Sequence, residues 1–232
     1  RRQRQMCIRD RFHTDWNLLK KILYIGIPNG LENSMFQLGK ILVLSLVTSF
    51  GTASIAANAV SNNIAMFAVL PGMSIGFAML TVSAQCVGAG DFEQVKYYTK
   101  KLMKLTYICL ILMNILVVLL LPFIIKVYGL SAEASEYARR ILIYHSCCVV
   151  TIWPLSFSLA NTLRAAADVK YTMILAIVSM WTFRIGFSYI LGSYLKWGVF
   201  GIWVAMTIDW LFRSICFTIR YLGGKWKHAS LV

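Results

Sequence analysis

The chain has 232 residues, 59% of them hydrophobic and 14% charged, with a mean hydropathy of +0.67. A soluble domain carries about 25% charged residues, so an ordinary soluble globule is excluded. The formal net charge of +14 would suggest nucleic acid in a soluble protein. Here the basic residues stand at the ends of apolar runs, where they face lipid headgroups, and no nucleic-acid partner is implied.

The first dozen residues, RRQRQMCIRDRF, are basic and show no periodicity. Met6–Arg11 also resembles the translation of a sequencing adapter, so residues 1–14 are set aside as a basic flank and 15–232 form the unit of interest. The first apolar segment runs from about Leu23 to Ser49, with Pro28, Asn29, Glu32, Asn33, Gln37 and Lys40 in its first half. At 100° per residue, the five polar residues fall within an arc of about 140°. Such a stripe must face protein or a watery cavity, because unpaired amides and charges in lipid cost several kcal/mol each. Pro28 removes an intrahelical hydrogen bond and is a candidate bend.

The second segment, about Ile55 to Ser83, carries Asn58 and Asn62 on one face and is expected to be interrupted at Pro71-Gly72. These two amides either line the same cavity as the stripe or bond between helices. The third, Leu105–Ile125, has no charge between Lys104 and Lys126. As a helix it spans about 31 Å, the hydrocarbon thickness of a bilayer. The fourth lies within Ile141–Leu163, the fifth at about Thr172–Leu195 with Arg184 inside, and the sixth at about Val199–Ile219 with Asp209 and Arg213 inside. Gly88–Tyr98 and Tyr128–Tyr137 are expected as loops, the second containing a helix start at Ser131.

The expected fold is therefore all-α: a polytopic membrane protein with six transmembrane helices. Sixteen basic residues fall on the side of the termini and the second and fourth loops, against four on the other side. The positive-inside rule puts both termini in the cytoplasm of a plasma membrane.

Ionisable residues inside a membrane are candidate sites by default. Glu32 could carry a proton or hold a cation, or it could lie at an interfacial helix start. Lys40 could line a cavity or pair with a carboxylate of a neighbouring helix. Asp209 and Arg213, four apart, could neutralise one another, or Asp209 could meet Arg184 across helices. His145 is a lone histidine with a structural role expected. No catalytic constellation and no metal-ligand spacing occurs among the histidines and cysteines. The chain has no P-loop, so transport would draw on an ion gradient rather than on nucleotide hydrolysis, with no cofactor beyond a coupling Na⁺ or H⁺.

The stretch IGIPNGLENSMFQLGKILVLSLVTSFGTASIAANAVSNNI resembles the first two helices of the second lobe of a multidrug and toxic compound extrusion (MATE) transporter. GAGDFEQVKYYTKK is similar to the family's cytoplasmic loop, LRAAADVKYTMILAIVSMWTFRIGFSYIL to its LRG-x-GDT-K element and penultimate helix, and GVFGIWVAMTIDWLFRSICFTIRYLGGKWK to its last helix. The resemblance implies one six-helix lobe of a twelve-helix protein, with the N-terminal lobe as partner. It implies an antiporter that exchanges Na⁺ or H⁺ for drugs and other cationic or amphipathic molecules by alternating access. Asn29, Glu32, Asn33, Gln37, Lys40, Asn58 and Asn62 would line its cleft. A lipid-linked saccharide flippase of the same superfamily, or a non-transporting membrane scaffold, are the alternatives. Two departures stand out. Phe36 occupies the position of a cation-binding glutamate found in one branch, and Ala165 and Ala167 replace expected glycines, while Arg164, Asp168 and Lys170 match.

Overall fold

A computed structural model describes residues 16–228; the basic flank, with Met6–Arg11 and His13, lies outside them. Every regular element among the described residues is helical. In chain order these are α1 (Trp16–Thr48), α2 (Thr52–Gly88), α3 (Phe92–Val127), α4 (Ala132–Thr151), α5 (Leu159–Ala165), α6 (Val169–Ser179) and α7 (Gly198–Leu222). Pro154–Ser158 is a π-helical turn between α4 and α5, and α6 continues as two π-helical stretches, Met180–Gly186 and Ser188–Tyr194. Counted as rods, these elements make six.

Four rods are long and apolar enough to cross a membrane: α2, α3, Val169–Tyr194 and α7. A fifth qualifies if α4 and Pro154–Ala165, bent by 55° at their junction, count as one span. The expected count of six spans is thus met in helices but not in hydropathy. The remaining rod, α1, has 33 residues, ample length for a span, but its polar stripe dilutes the apolar surface. Its Leu, Ile and Val side chains still cover the outer faces: Ile22, Ile27, Leu38, Ile41 and Leu44 are exposed.

Helices extend further than hydropathy alone suggests. α3 begins at Phe92, where Asp91 Oδ1 accepts the backbone N–H of Gln94 at 3.0 Å. α4 begins at Ala132, where Ser131 Oγ accepts that of Ala134 at 3.3 Å. Most of the two expected loops is therefore helix that stands above the apolar zone, stabilised by side-chain caps. The interruption expected at Pro71-Gly72 is absent: α2 is one helix through both residues, as α1 is through Pro28. The sharp break falls instead at Ile152-Trp153, before Pro154, whose missing N–H and ring disfavour a regular turn.

Among the described residues four hydrophobic clusters hold the rods together, and two of them are the largest. One joins Leu46, Val47, Leu110, Val149, Trp153, Trp203 and Trp210, from α1, α3, α4 and α7. The other joins Cys86, Val95, Leu163, Phe217 and Trp226 at the opposite end. Small residues allow the close approaches. A Cβ on Gly72 would lie 2.5 Å from the Trp153 ring, and one on Gly201 would lie 2.8 Å from the backbone of Leu191. Without a hydrophobic difference between lipid and side chain, such packing contacts are what drive helix association in a bilayer.

Candidate functional site

The polar stripe of α1 opens onto one cavity. Asn29, Glu32, Asn33, Gln37 and Lys40 all line a groove of about 450 Å³. Its other walls come from α2 (Val69, Gly72, Met73, Phe77), the α4–α5 break (Trp153, Ser156, Phe157), α5 (Asn161, Arg164) and α7 (Arg213, Phe217). The combination is an apolar, aromatic-rich slot with a few polar groups along one side, the usual chemistry of small-molecule sites. Gly72 is part of the α2 wall, and neither Pro28 nor Pro71 breaks its helix.

Glu32 is buried in the wall of this groove. Arg164 Nη2 donates to its Oε1 at 2.6 Å, while Arg164 Nη1 donates to Asn161 Oδ1 at 3.2 Å. Arg164 comes from the end of α5, so this pair ties α1 to α5 where the chain turns into α6. The interfacial helix start considered for Glu32 does not apply, because α1 begins sixteen residues earlier, at Trp16. The same turn is clamped from the other side. Arg220 Nε and Nη2 donate to the two carboxylate oxygens of Asp168 at 2.8 and 3.1 Å, a bidentate geometry that fixes α7 against the start of α6. Neither Arg164 nor Asp168 was assigned a partner from sequence, since each partner lies on a distant segment.

Asp209 and Arg213 form a pair along α7 at 2.8 Å, and both side chains are almost fully buried, at 0% and 2% exposure. Ser179 Oγ also donates to Asp209. The Arg213 guanidinium stands between the rings of Phe36 and Phe157, 5.0 and 4.7 Å from their centroids. Of the two readings open from sequence, the mutual pair along one helix is the contact formed. Phe36, at the position where one branch of the family holds a glutamate, here covers an arginine.

Asn58 and Asn62 face a second cavity of about 210 Å³, which Lys40, Arg184 and Trp203 also line. Trp203 Nε1 donates to Asn58 Oδ1 at 3.1 Å, and Asn62 Nδ2 donates to the Asn58 carbonyl at 2.8 Å. Lys40 belongs to both cavities and so joins them. The sequence places Arg184 among ion pairs; among the described residues it has no carboxylate within salt-bridge distance. His145 is buried edge-on to the rings of Trp203 and Trp210, at 5.3 and 5.6 Å, as a structural residue would be.

A bundle of membrane-length helices with a polar groove let into one apolar wall is the build of a multi-pass membrane protein. Residues 28–190 match the family description MatE, and the chain belongs to that family. It is 27% identical over 222 residues to the probable multidrug resistance protein YoeA of Bacillus subtilis, covering 94% of this chain and 46% of that protein. It is 22% identical over 221 residues to the probable multidrug resistance protein NorM of Thermotoga maritima, covering 94% and 47%. Its fold matches the outward-facing conformation of a multidrug resistance MATE family transporter of the MOP superfamily, with a TM-score of 0.82, 19% identity, and coverage of 97% of this chain and 49% of that one. The chain spans about half the length of the curated relatives it matches.

Proposed function

We propose that this chain is the C-terminal lobe of an antiporter that exports small amphipathic molecules, drugs and organic cations among them, in exchange for Na⁺ or H⁺. The observation that carries the reading is the 450 Å³ groove, in which the whole polar stripe of α1 meets the aromatic wall of α2 and α7. A second six-helix lobe facing this groove would complete the cleft, and rocking of the two lobes would expose it to alternate sides of the membrane. Both termini would lie in the cytoplasm of a bacterial plasma membrane, as the basic loops favour. Glu32 and Asp209 are each held by an arginine, so a coupling ion acting on this lobe would do so by competing with Arg164 for Glu32. Transport requires that substrate and ion bind the two states with different free energies.

The test is dye exchange in everted membrane vesicles from cells expressing the gene. A gradient of Na⁺ or of protons should drive uptake of a cationic dye such as ethidium. Replacing Asn33 and Gln37 together by leucine should reduce that rate at unchanged protein level, because both exposed amides line the groove. Uptake indifferent to both gradients would overturn the reading.

A further inference from the structure

The smaller cavity has an unusual charge balance for the interior of a membrane protein. Lys40 of α1 and Arg184 of the α6 rod both line it, and among the described residues no carboxylate does. Among the described residues neither cation has an acid within 4 Å. The Arg184 Nε is buried and has no hydrogen-bond partner. The acid of the α7 wall, Asp209, is fully buried and already bound by Arg213 and Ser179. Two like charges lining one cavity repel one another, and an anion held between them relieves that repulsion. The rest of the wall supplies donors. Trp203 occupies the Asn58 oxygen, which leaves the Asn58 NH₂ as a further donor.

We infer that this cavity binds the anionic head of an amphipathic small molecule, a carboxylate or an oxyanion of similar size, held between Lys40 and Arg184. The cavity's volume suits a head group rather than a whole drug, for which about 300 Å³ or more is usual. The body of the molecule lies in the adjoining groove, reached past Lys40, against Phe36, Phe77 and Trp153. The class of substrate this adds to organic cations is anionic or zwitterionic amphiphiles. The inference rests on the transporter reading but makes a separate claim about charge. Depth argues against a lipid headgroup as the source. Lys40 lies eight residues before the end of α1, and Asn58 six residues after the start of α2, so the site is about 9–12 Å inside that end of the bundle.

The experiment uses the whole protein in phosphatidylcholine nanodiscs at low salt, titrated with dansylglycine, its neutral methyl ester and a dansyl trimethylammonium analogue. Binding is followed by fluorescence polarisation. Dansylglycine should bind more tightly than its ester. Lys40→Gln should weaken dansylglycine about tenfold or more, the loss of a charge-assisted hydrogen bond, and leave the ester unchanged. Lys40→Glu should reverse the preference toward the cation; its side chain is exposed to the cavities, so the fold is retained. Arg184→Lys should keep most of the affinity that Arg184→Gln loses. Phosphatidylglycerol in the disc should compete only weakly; strong competition would overturn the small-molecule assignment in favour of a lipid. Equal affinity for ester and acid, or acid binding unmoved by Lys40→Gln, would overturn the anion site itself. Ethidium exchange that persists in either of those cases would leave the transporter reading intact, whereas its absence in the unaltered protein would reject that reading independently.

Discussion

The buried pair on α7 gives the sharpest energetic test of the structure. Asp209 is fully enclosed and Arg213 is 2% exposed, so Asp209→Asn leaves a guanidinium in an apolar surround with two aromatic faces and no counter-charge. Breaking a buried pair on one side costs about 3–5 kcal/mol, whereas replacing both partners by apolar groups of similar volume is often near neutral. The two rings soften the penalty for the unpaired guanidinium, since a desolvated cation–π contact contributes about 2 kcal/mol; a net cost of about 1–3 kcal/mol is expected for Asp209→Asn. Arg213→Met should cost a similar amount, because Asp209 would retain only the Ser179 hydroxyl and backbone contacts. The double variant Asp209→Leu/Arg213→Met, set against the singles Asp209→Leu and Arg213→Met, should recover most of that loss, giving a coupling energy of about 2 kcal/mol or more. The assay is equilibrium unfolding in mixed micelles titrated with SDS and followed by helical circular dichroism. Single variants costing under about 0.5 kcal/mol, or a double variant whose cost is the sum of the singles, would refute the claim that the pair is desolvated.

Two predictions concern the backbone. Gly201→Ala should destabilise by about 1–3 kcal/mol, because the new methyl would meet the Leu191 backbone at 2.8 Å, which cannot move aside as a side chain can; Gly30→Ala, whose methyl would meet nothing within 4 Å, serves as the control in the same unfolding assay. Ala167 has φ +64° and closes α5, with its N–H donating to the Arg164 carbonyl and that of Asp168 to the Leu163 carbonyl. That left-handed closure favours glycine; relief of about 1–2 kcal/mol of strain exceeds the unfolded-chain entropy that glycine adds, about 0.4–1 kcal/mol, so Ala167→Gly should raise stability by up to about 1 kcal/mol, and a loss of stability in the same titration would contradict the geometry.

Ala167 also shows how a sequence departure acquires its meaning. From the sequence it is only an alanine where the family resemblance expects glycine; the backbone shows that the position demands the conformation glycine takes without strain. The polar stripe of α1 was legible because helical periodicity alone puts Asn29, Glu32, Asn33, Gln37 and Lys40 on one arc, and all five line one groove. Asp209–Arg213 was legible for the same reason, as an i,i+4 spacing on one helix. Glu32–Arg164 and Asp168–Arg220 were not, since their partners are 132 and 52 residues apart and meet only through packing. The bend after Thr151 is not legible in the sequence, because a proline marks a helix boundary without saying whether the helix ends, turns or continues: Pro28, Pro71 and Pro122 all lie inside unbroken helices.

The class of the protein was settled by composition and run length. Backbone polar groups in lipid must be satisfied within their own segment, so long uncharged stretches can only become helices, and that requirement is local. Which buried charges neutralise one another, and which are left facing a cavity, is not local. It depends on the rotation and tilt of each rod against its neighbours, which small residues such as Gly72 and Gly201 set by how closely they let the backbones approach. Only the assembled bundle therefore binds Glu32 to Arg164 and brings Lys40 and Arg184 to one cavity with, among the described residues, no acid lining it.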